Sequence, residues 1–373
     1  MASEEHLRLV EASPNFFSGS NLNRLSERRT DNPFLSAALT SPNSRFLLLS
    51  NGNPLAQTKP AKLHWLPYEY VREAIGNPFS NQGRQEYPKG THLIFLGAEK
   101  SKTEDAAYYW ALDVSPMPSL EDSFARVRQA AESEVHKFIP TRPVSFKLPR
   151  GDAAILAQAR AMIDWHVRNQ YCPSCGRHTF MTDAGYKRTC QPAPSAQTSD
   201  GRPPCISPKG IHNFSYPRTD PVVIICTISP QGDRILLGRQ KSWPPGMYSC
   251  VAGFVEPGES LEEAARREVR EETGVILGTV MYHSSQPWPF PNSLMVGCIG
   301  RALSEQIQLE DLELDDAKWF TREEVLSGLQ NPIEITTKAE LDPDQLRLPP
   351  GTAIAHQIIR TWAKNEIAPP SKI

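Results

Sequence analysis

The sequence predicts an α+β fold in three successive units, and three observations carry this. Short strand-like runs with one helical stretch fill roughly the first 140 residues, a Cys/Pro/Gly/Ser-rich segment without hydrophobic periodicity follows at 171–215, and buried-strand runs around one sharply punctuated helix occupy the rest. The expected units are 1–150, 151–215 (a connecting helix and a metal-held segment), 216–365, and a tail at 366–373. A length of 373 residues agrees, being too long for one ordinary domain.

In the first unit the runs are 46–49, 92–96 and 107–112, with the turn signal Asn51-Gly52-Asn53-Pro54 between them and a helical stretch at 119–138. These residues present no catalytic constellation and read as a packing or dimerisation module. Residues 140–150, with three prolines, read as a linker. A helix is expected over 153–170, where Ile155, Ala159, Met162, Ile163 and His166 form one broad stripe. In the third unit strands are expected at 222–228, 234–238, 248–255, 294–299 and 317–320, and a closing helix at 353–364. Between them, Ser260-x-x-Glu263 is a capping box that opens a helix over 260–273, which Gly274 ends. No internal repeat of fixed period is visible.

Composition narrows the function classes. Hydrophobic residues make up 39% and charged residues 22%, as in a chain with packed cores. No apolar run nears the ~18 residues of a membrane helix, and the acidic start Met1-Ala2-Ser3-Glu4-Glu5 lacks a signal-peptide pattern. Lys and Arg number 40 against 42 Asp and Glu, so bulk charge predicts neither a nucleic-acid binder nor a polyanion sink. Prolines are abundant at 34, and the seven cysteines are an odd number that argues against a disulfide framework.

Four of those cysteines have a metal-site pattern. Cys172-Pro173-Ser174-Cys175-Gly176 is a thiolate knuckle, and Cys190 and Cys205 supply a second arm, making a closed tetrahedral Zn²⁺ site of structural type. The second arm departs from short pair spacing, because the Pro/Ser/Gly-rich residues 191–204 stand between its cysteines, an insert that could loop out without moving its ends much. A redox Cys-x-x-Cys pair or unconnected thiols are the other readings, and the segment lacks the strand-then-helix context of redox motifs. Cys226, Cys250 and Cys298 sit in apolar runs and read as buried small hydrophobes.

The helix at 260–273 carries the chemistry. On a helical wheel Leu261, Ala264, Ala265 and Val269 form the apolar face, and Glu268 and Glu272 fall in its middle. Glu271 lies at one edge, while Arg266, Arg267 and Arg270 point mostly away. A solvated acidic face is the ordinary reading of such a helix, but these acids are on the core side. Carboxylates there are costly unless paired or bound to a cation, and stacked carboxylates call for a multivalent one with hard-oxygen preference, such as Mg²⁺.

Residues 253–275 resemble the Nudix box, G-x5-E-x7-R-E-U-x-E-E-x-G-U with U apolar. It is matched at Gly253, Glu259, Arg267, Glu268, Val269, Glu271, Glu272, Gly274 and Val275. The resemblance implies an α/β/α sandwich that hydrolyses nucleoside diphosphates linked to another group.

Downstream, Ser285-Gln286-Pro287-Trp288-Pro289-Phe290-Pro291-Asn292-Ser293 alternates prolines with aromatics and reads as a stiff extended segment. Its rings could stack on a planar base, with Gln286 and Ser293 bonding base edges or ribose, or they could form an aromatic-proline corner of the core. Residues 285–293 also resemble the SQPWPFPxS signature of the NADH pyrophosphatase branch of the Nudix family, which carries a four-cysteine zinc ribbon and a Nudix-like N-terminal domain in this order. The opening Asn15-Phe16-Phe17 and Leu22-Asn23-Arg24-Leu25 resembles that domain's start.

The resemblance implies a catalytic Mg²⁺ or Mn²⁺ held by Glu268, Glu272, the backbone oxygen of Ala252 and a distal glutamate. That last ligand matches Glu313, with Glu310 as the alternative. It implies substrate contacts from Tyr216, Ala252, Phe254, Glu268, Glu272, Gln286, Pro287, Trp288, Pro289, Phe290, Pro291, Asn292, Ser293, Glu313 and Ala355. Glu272 is then the expected general base, Glu271 its understudy or a further metal ligand, and Arg267 the residue that orients the acids. A homodimer is also implied, its N-terminal domain and partner subunit helping to complete the pocket.

The expected reaction splits NADH, and NAD, into nicotinamide mononucleotide and AMP. The alternative is removal of NAD caps from RNA 5′ ends at the same site, and a third reading is a zinc-ribbon binding module without catalysis. The terminal Ser371-Lys372-Ile373 resembles the peroxisomal Ser-Lys-Leu tripeptide, so the expected location is peroxisomal, with cytoplasmic as the alternative.

Overall fold

Leucine and phenylalanine run without interruption through residues 46–49, which fits a strand covered on both faces rather than one lying on a surface. The computed structural model describes residues 15–81, 85–88, 90–100, 106–190, 205, 216–309, 313–333, 342 and 344–366. Its first unit contains β1 (Leu22–Asn23), α1 (Asn32–Thr40), β2 (Ser44–Ser50), β3 (Asn53–Thr58), β4 (Ala61–Leu63), β5 (Trp65–Leu66), α2 (Arg72–Ile75), β6 (His92–Glu99), β7 (Tyr108–Asp113), α3 (Glu121–Ala131), β8 (Lys137–Phe138), α4 (Thr141–Ser145) and α5 (Arg150–Arg168). Phe46 and Leu48 of β2 pack with Leu35 and Leu39 of α1 and Phe124 of α3. Leu47 and Leu49 face the other way, onto Ile155, Leu156, Ala159 and Ile163 of α5. The result is a layered α/β/α arrangement.

Two expectations change here. The stretch 119–138 is a shorter helix followed by β8, because Ser133, Val135 and His136 form a turn closed by the Ser133 hydroxyl. The expected linker 140–150 holds α4, and α5 packs on the first sheet, so the first unit reaches further than residue 150.

A short hairpin, β9 (Phe180–Thr182) with β10 (Lys187–Thr189), follows. The last unit comprises β11 (Asp220–Ile228), β12 (Arg234–Arg239), β13 (Val251–Phe254), α6 (Leu261–Thr273), β14 (Leu277–Trp288), β15 (Ser293–Ala302), β16 (Asp316–Thr321), α7 (Arg322–Gln330) and α8 (Ile354–Ala363). Strands run in the order β14-β15-β11-β12-β16, and β13 also pairs with β11. Val223 and Ile225 of β11 face Ala264, Ala265 and Val269 of α6, while Ile224 and Cys226 face Ile354, Ile358 and Trp362 of α8. Cys226, Cys250 and Cys298 are buried among these side chains.

The two sheets share a core order, β6-β7-β2-β3 in the first and β14-β15-β11-β12 in the second, each with its central pair parallel. The chain therefore contains a structural repeat that fixed-period comparison of residues does not reveal. The units are tied together at Asn15, whose amide donates to the Ser285 carbonyl (2.8 Å) and the Ser284 hydroxyl (3.1 Å). Among the described residues no helix is long and apolar enough to cross a membrane.

Candidate active site

Helix α6 starts where the capping box predicts. The Ser260 hydroxyl accepts from the Glu263 amide (3.3 Å) and the Glu263 carboxylate accepts from the Ser260 amide (2.7 Å). Gly274, with φ at 73°, ends it in the left-handed conformation, donating its amide to the Arg270 carbonyl (2.8 Å). Between these ends Ala264, Ala265 and Val269 are fully buried, and Glu272 lies on the same face with 4% exposure.

One turn back, the Glu268 carboxylate lies against the backbone of β13. A Cβ on Gly253 would overlap its carboxyl carbon and both oxygens, so the glycine is required by close approach. Burial raises the Glu268 pKa, Arg267 opposes this, and the charges of Glu271 and Glu313 add to the rise. Glu313 therefore sits within electrostatic reach of Glu268. Glu271 is half-exposed at the helix edge. Glu310 lies outside the described residues.

Arg267 departs from expectation: it does not point away. Its guanidinium donates to Glu259 at 2.6 and 2.8 Å, to Glu268 at 2.7 Å, to Glu271 at 3.1 Å and to the Phe254 carbonyl at 2.8 Å. It thus binds strand, loop and helix into one frame, and the long arginine stem reaches back across the helix to do so. Hydrogen bonds from Arg267, with one from the Glu256 amide, pull the Glu259 pKa down to about 2. One guanidinium faces several carboxylates, leaving excess negative charge on hard oxygen donors. That donor set fits Mg²⁺ or Mn²⁺.

On the far face of the sheet lies a cavity of about 440 Å³, bordered by Ile224, Met295, Ala355, Trp243, Trp288 and Gln286, and by Arg142 and Phe146 of the first unit. Ala355 is buried in its wall, and Ala252 pairs with Ile224 on the neighbouring strand. Tyr216 and Phe254 are exposed: the Lys187 ammonium stands 5.7 Å from the Tyr216 ring centroid, and Phe254 borders a groove with Arg218 and Pro257.

The stretch 285–293 is not one extended segment. Pro287 and Trp288 end β14, Pro289, Phe290, Pro291 and Asn292 make the connection, and Ser293 starts β15 opposite Trp288, so the stretch is the closed end of a hairpin. The Asn292 amide donates to the Arg218 carbonyl (3.2 Å). Trp288 and Phe290 pack edge-on with each other (5.3 Å) and with Phe17 (6.1 and 5.9 Å), forming the aromatic corner between units. Trp288 also borders the cavity.

Gln286 is corrected from base reader to strut. It is fully buried, its amide nitrogen donates to the carbonyls of Phe16 (3.0 Å) and Thr352 (2.8 Å), and its oxygen accepts from the Ile354 amide (2.9 Å). Sequence reasoning missed Arg142, Phe146 and Trp243. For Trp243 the signal was there, an aromatic followed by Pro244-Pro245 outside any strand pattern; the other two need long-range packing to be found.

The four cysteine sulfurs Cys172, Cys175, Cys190 and Cys205 all lie within 4.8 Å of one another. Cys172 to Cys205 and Cys175 to Cys190 are each 3.7 Å, close to the edge of about 3.8 Å for a tetrahedron of ~2.3 Å Zn–S bonds and far from a disulfide. The knuckle closes through the Gly176 amide on the Cys172 carbonyl (2.7 Å). The cluster fits a structural zinc ion.

Comparison with known proteins agrees with this architecture. Residues 218–341 match the NUDIX domain, and the chain is 36% identical over 377 residues to the NAD-capped RNA hydrolase of Schizosaccharomyces pombe, covering 97% of this chain and 96% of that one. The chain belongs to the Nudix hydrolase family. Residues 43–165 of this Nudix hydrolase match the NADH pyrophosphatase-like rudimentary NUDIX domain, which accounts for the shared strand order of its two sheets. It is 38% identical over 369 residues to the human NAD-capped RNA hydrolase NUDT12 (95% of this chain, 74% of that one). It is 36% identical over 268 residues to the human mitochondrial NAD(P)H pyrophosphatase NUDT13 (71% and 70%).

Proposed function

We propose that the chain hydrolyses the pyrophosphate bond of NADH, and of NAD, to nicotinamide mononucleotide and AMP. The observation that carries this is Glu272, held at 4% exposure on the core face of α6, one turn from a Glu268 carboxylate pressed against Gly253. Glu268, Glu272, Glu313 and the Ala252 carbonyl would hold the divalent cation, Mg²⁺ or Mn²⁺. When bound, such an ion neutralises charge on the pyrophosphate oxygens and acidifies water.

Within that frame Glu272 takes the proton of the attacking water as it adds to one phosphorus and the bond to the bridging oxygen breaks. Glu271 is the second candidate for this proton. Arg267 positions Glu268 and Glu271 and is not itself assigned to substrate. The cavity walled by Ala355, Trp243 and Trp288 is large enough for a nucleoside moiety, and Phe254 and Tyr216 offer open rings for stacking.

The names of the relatives favour a second reading for the same site, removal of NAD caps from RNA 5′ ends. A substrate panel of NADH, NAD, NADPH, ADP-ribose and NAD-capped RNA, with Mg²⁺ or Mn²⁺ and products identified by mass, tests both. Turnover of capped RNA that falls steeply with salt while NADH turnover does not would assign phosphate contacts beyond the cap; no metal-dependent hydrolysis of any of them would remove the proposal.

The proposal includes a homodimer, a structural zinc at the four cysteines, and delivery to peroxisomes by Ser371-Lys372-Ile373, a tail outside the described residues. Identical cellular distribution of the intact chain and of one lacking residues 371–373 would exclude that signal.

A further inference from the structure

A second cavity, about 540 Å³, lies between the first sheet and the β9–β10 hairpin, with Tyr87, Thr91, His92, His178, Phe180 and Arg188 on its walls. It shares no lining residue with the Nudix box or with the cavity at Ala355. Arg188 is 4% exposed, and every partner of its guanidinium is neutral. Nε donates to the Thr179 hydroxyl (2.7 Å), Nη2 to the Thr179 carbonyl (3.0 Å), and Nη1 to His166 Nδ1 (2.9 Å). His166 uses its other nitrogen on the Gly185 carbonyl (2.6 Å), which fixes Nδ1 as the acceptor and the ring as uncharged.

Two nearby carboxylates are engaged elsewhere, and a third, Asp183, acts on Tyr87 and Arg29. Asp113 is held by His92 Nδ1 (3.2 Å) and by Ser115, and the Glu86 carboxylate at the cavity's edge accepts from the Asn81 amide (3.0 Å). Among the described residues no carboxylate pairs with Arg188, and burial alone pulls its pKa down to about 10. A buried guanidinium without a counter-charge is costly to keep, and a bound anion would supply that charge. Thr91, 3% exposed on the same wall, adds a buried hydroxyl that has no hydrogen-bond partner.

We propose that this cavity binds a phosphate-bearing planar ligand of mononucleotide size, its phosphate on Arg188 and Thr91 and its ring between Tyr87 and Phe180. A bare phosphate would leave most of the space empty, whereas sites of about 300–1,000 Å³ hold small organic ligands. The aromatic walls favour a ring system over an aliphatic acid. The assignment does not depend on the catalytic reading, because none of these residues takes part in it.

The test is photolabelling of the full chain with 8-azido-AMP, with the labelled peptides mapped by mass. Label is expected on peptides carrying Tyr87 or Phe180, with protection by AMP. Thr91→Val, which keeps the side-chain shape, is expected to weaken that protection about tenfold, the loss of one hydrogen bond to a charged group. Arg188→Gln is expected to weaken it at least as much; if that variant fails to fold by circular dichroism, Thr91→Val decides. Label confined to other peptides, no label, or unchanged protection in Thr91→Val overturns the site. Equal protection by inorganic phosphate or succinate overturns the mononucleotide assignment.

Discussion

Arg267 and Glu259 form a two-point ion pair, Nε to Oε1 at 2.6 Å and Nη2 to Oε2 at 2.8 Å, across the loop that joins β13 to α6. The same guanidinium reaches Glu268 and the Phe254 carbonyl, so the helix carrying the acids is fixed in angle and height against the strand that faces them. A planar fork makes these contacts together, and an ammonium cannot. Arg267→Lys is therefore expected to keep the fold yet lower kcat about 100-fold through misplacement of the acids. Wild-type kcat in that variant, measured by steady-state NADH hydrolysis, would assign Arg267 to stability alone.

Gly253 tests the same frame from the strand side. An added Cβ would occupy the position of the Glu268 carboxyl group. Gly253→Ala is expected to displace that carboxylate and lower kcat by about 10² while the thermal midpoint moves by only a few degrees. Activity within twofold of wild type would show that Glu268 has another productive position.

Gln286 joins the first unit to the last through three backbone partners. Truncating it leaves one buried carbonyl, one part-buried carbonyl and one buried amide unsatisfied, at about 1–3 kcal/mol each before water relieves part of the loss. Gln286→Ala is expected to destabilise the chain by about 3 kcal/mol in urea unfolding, whereas an unchanged midpoint would mean water replaces the amide fully.

The cysteine cluster predicts one tightly held zinc per chain, separate from the cation proposed at Glu268 and Glu272. Cys175→Ser is expected to lower bound zinc, measured by elemental analysis after dialysis, and to destabilise the hairpin around it. Full zinc retention in a variant lacking both Cys190 and Cys205 would contradict the assignment.

Helix α6 was legible because its signals are local. Ser260 and Glu263 cap it, Gly274 stops it, and the position of Glu272 on the Ala265–Val269 face follows from the turn angle alone. The four cysteines were legible by residue type, although what lies between Cys190 and Cys205 hid their closeness. Arg267 was misplaced because a wheel gives the direction of Cβ, not the reach of a long side chain. Gln286 was misread because its partners Phe16 and Thr352 are far away in sequence. The repeated strand order was invisible because it is kept in hydrogen-bond pairing, which different residues satisfy equally well.

The proposed function turns on Glu272, a carboxylate 4% exposed on the core face of α6. Replacing it with glutamine keeps its shape and removes its charge and basicity. The measurement is single-turnover NADH hydrolysis by Glu272→Gln beside equilibrium NADH binding, in saturating Mg²⁺. The expected result is a dissociation constant within a few-fold of wild type and a chemical step slowed by about 10²–10⁴. Near-wild-type hydrolysis by that variant would exclude Glu272 as the base.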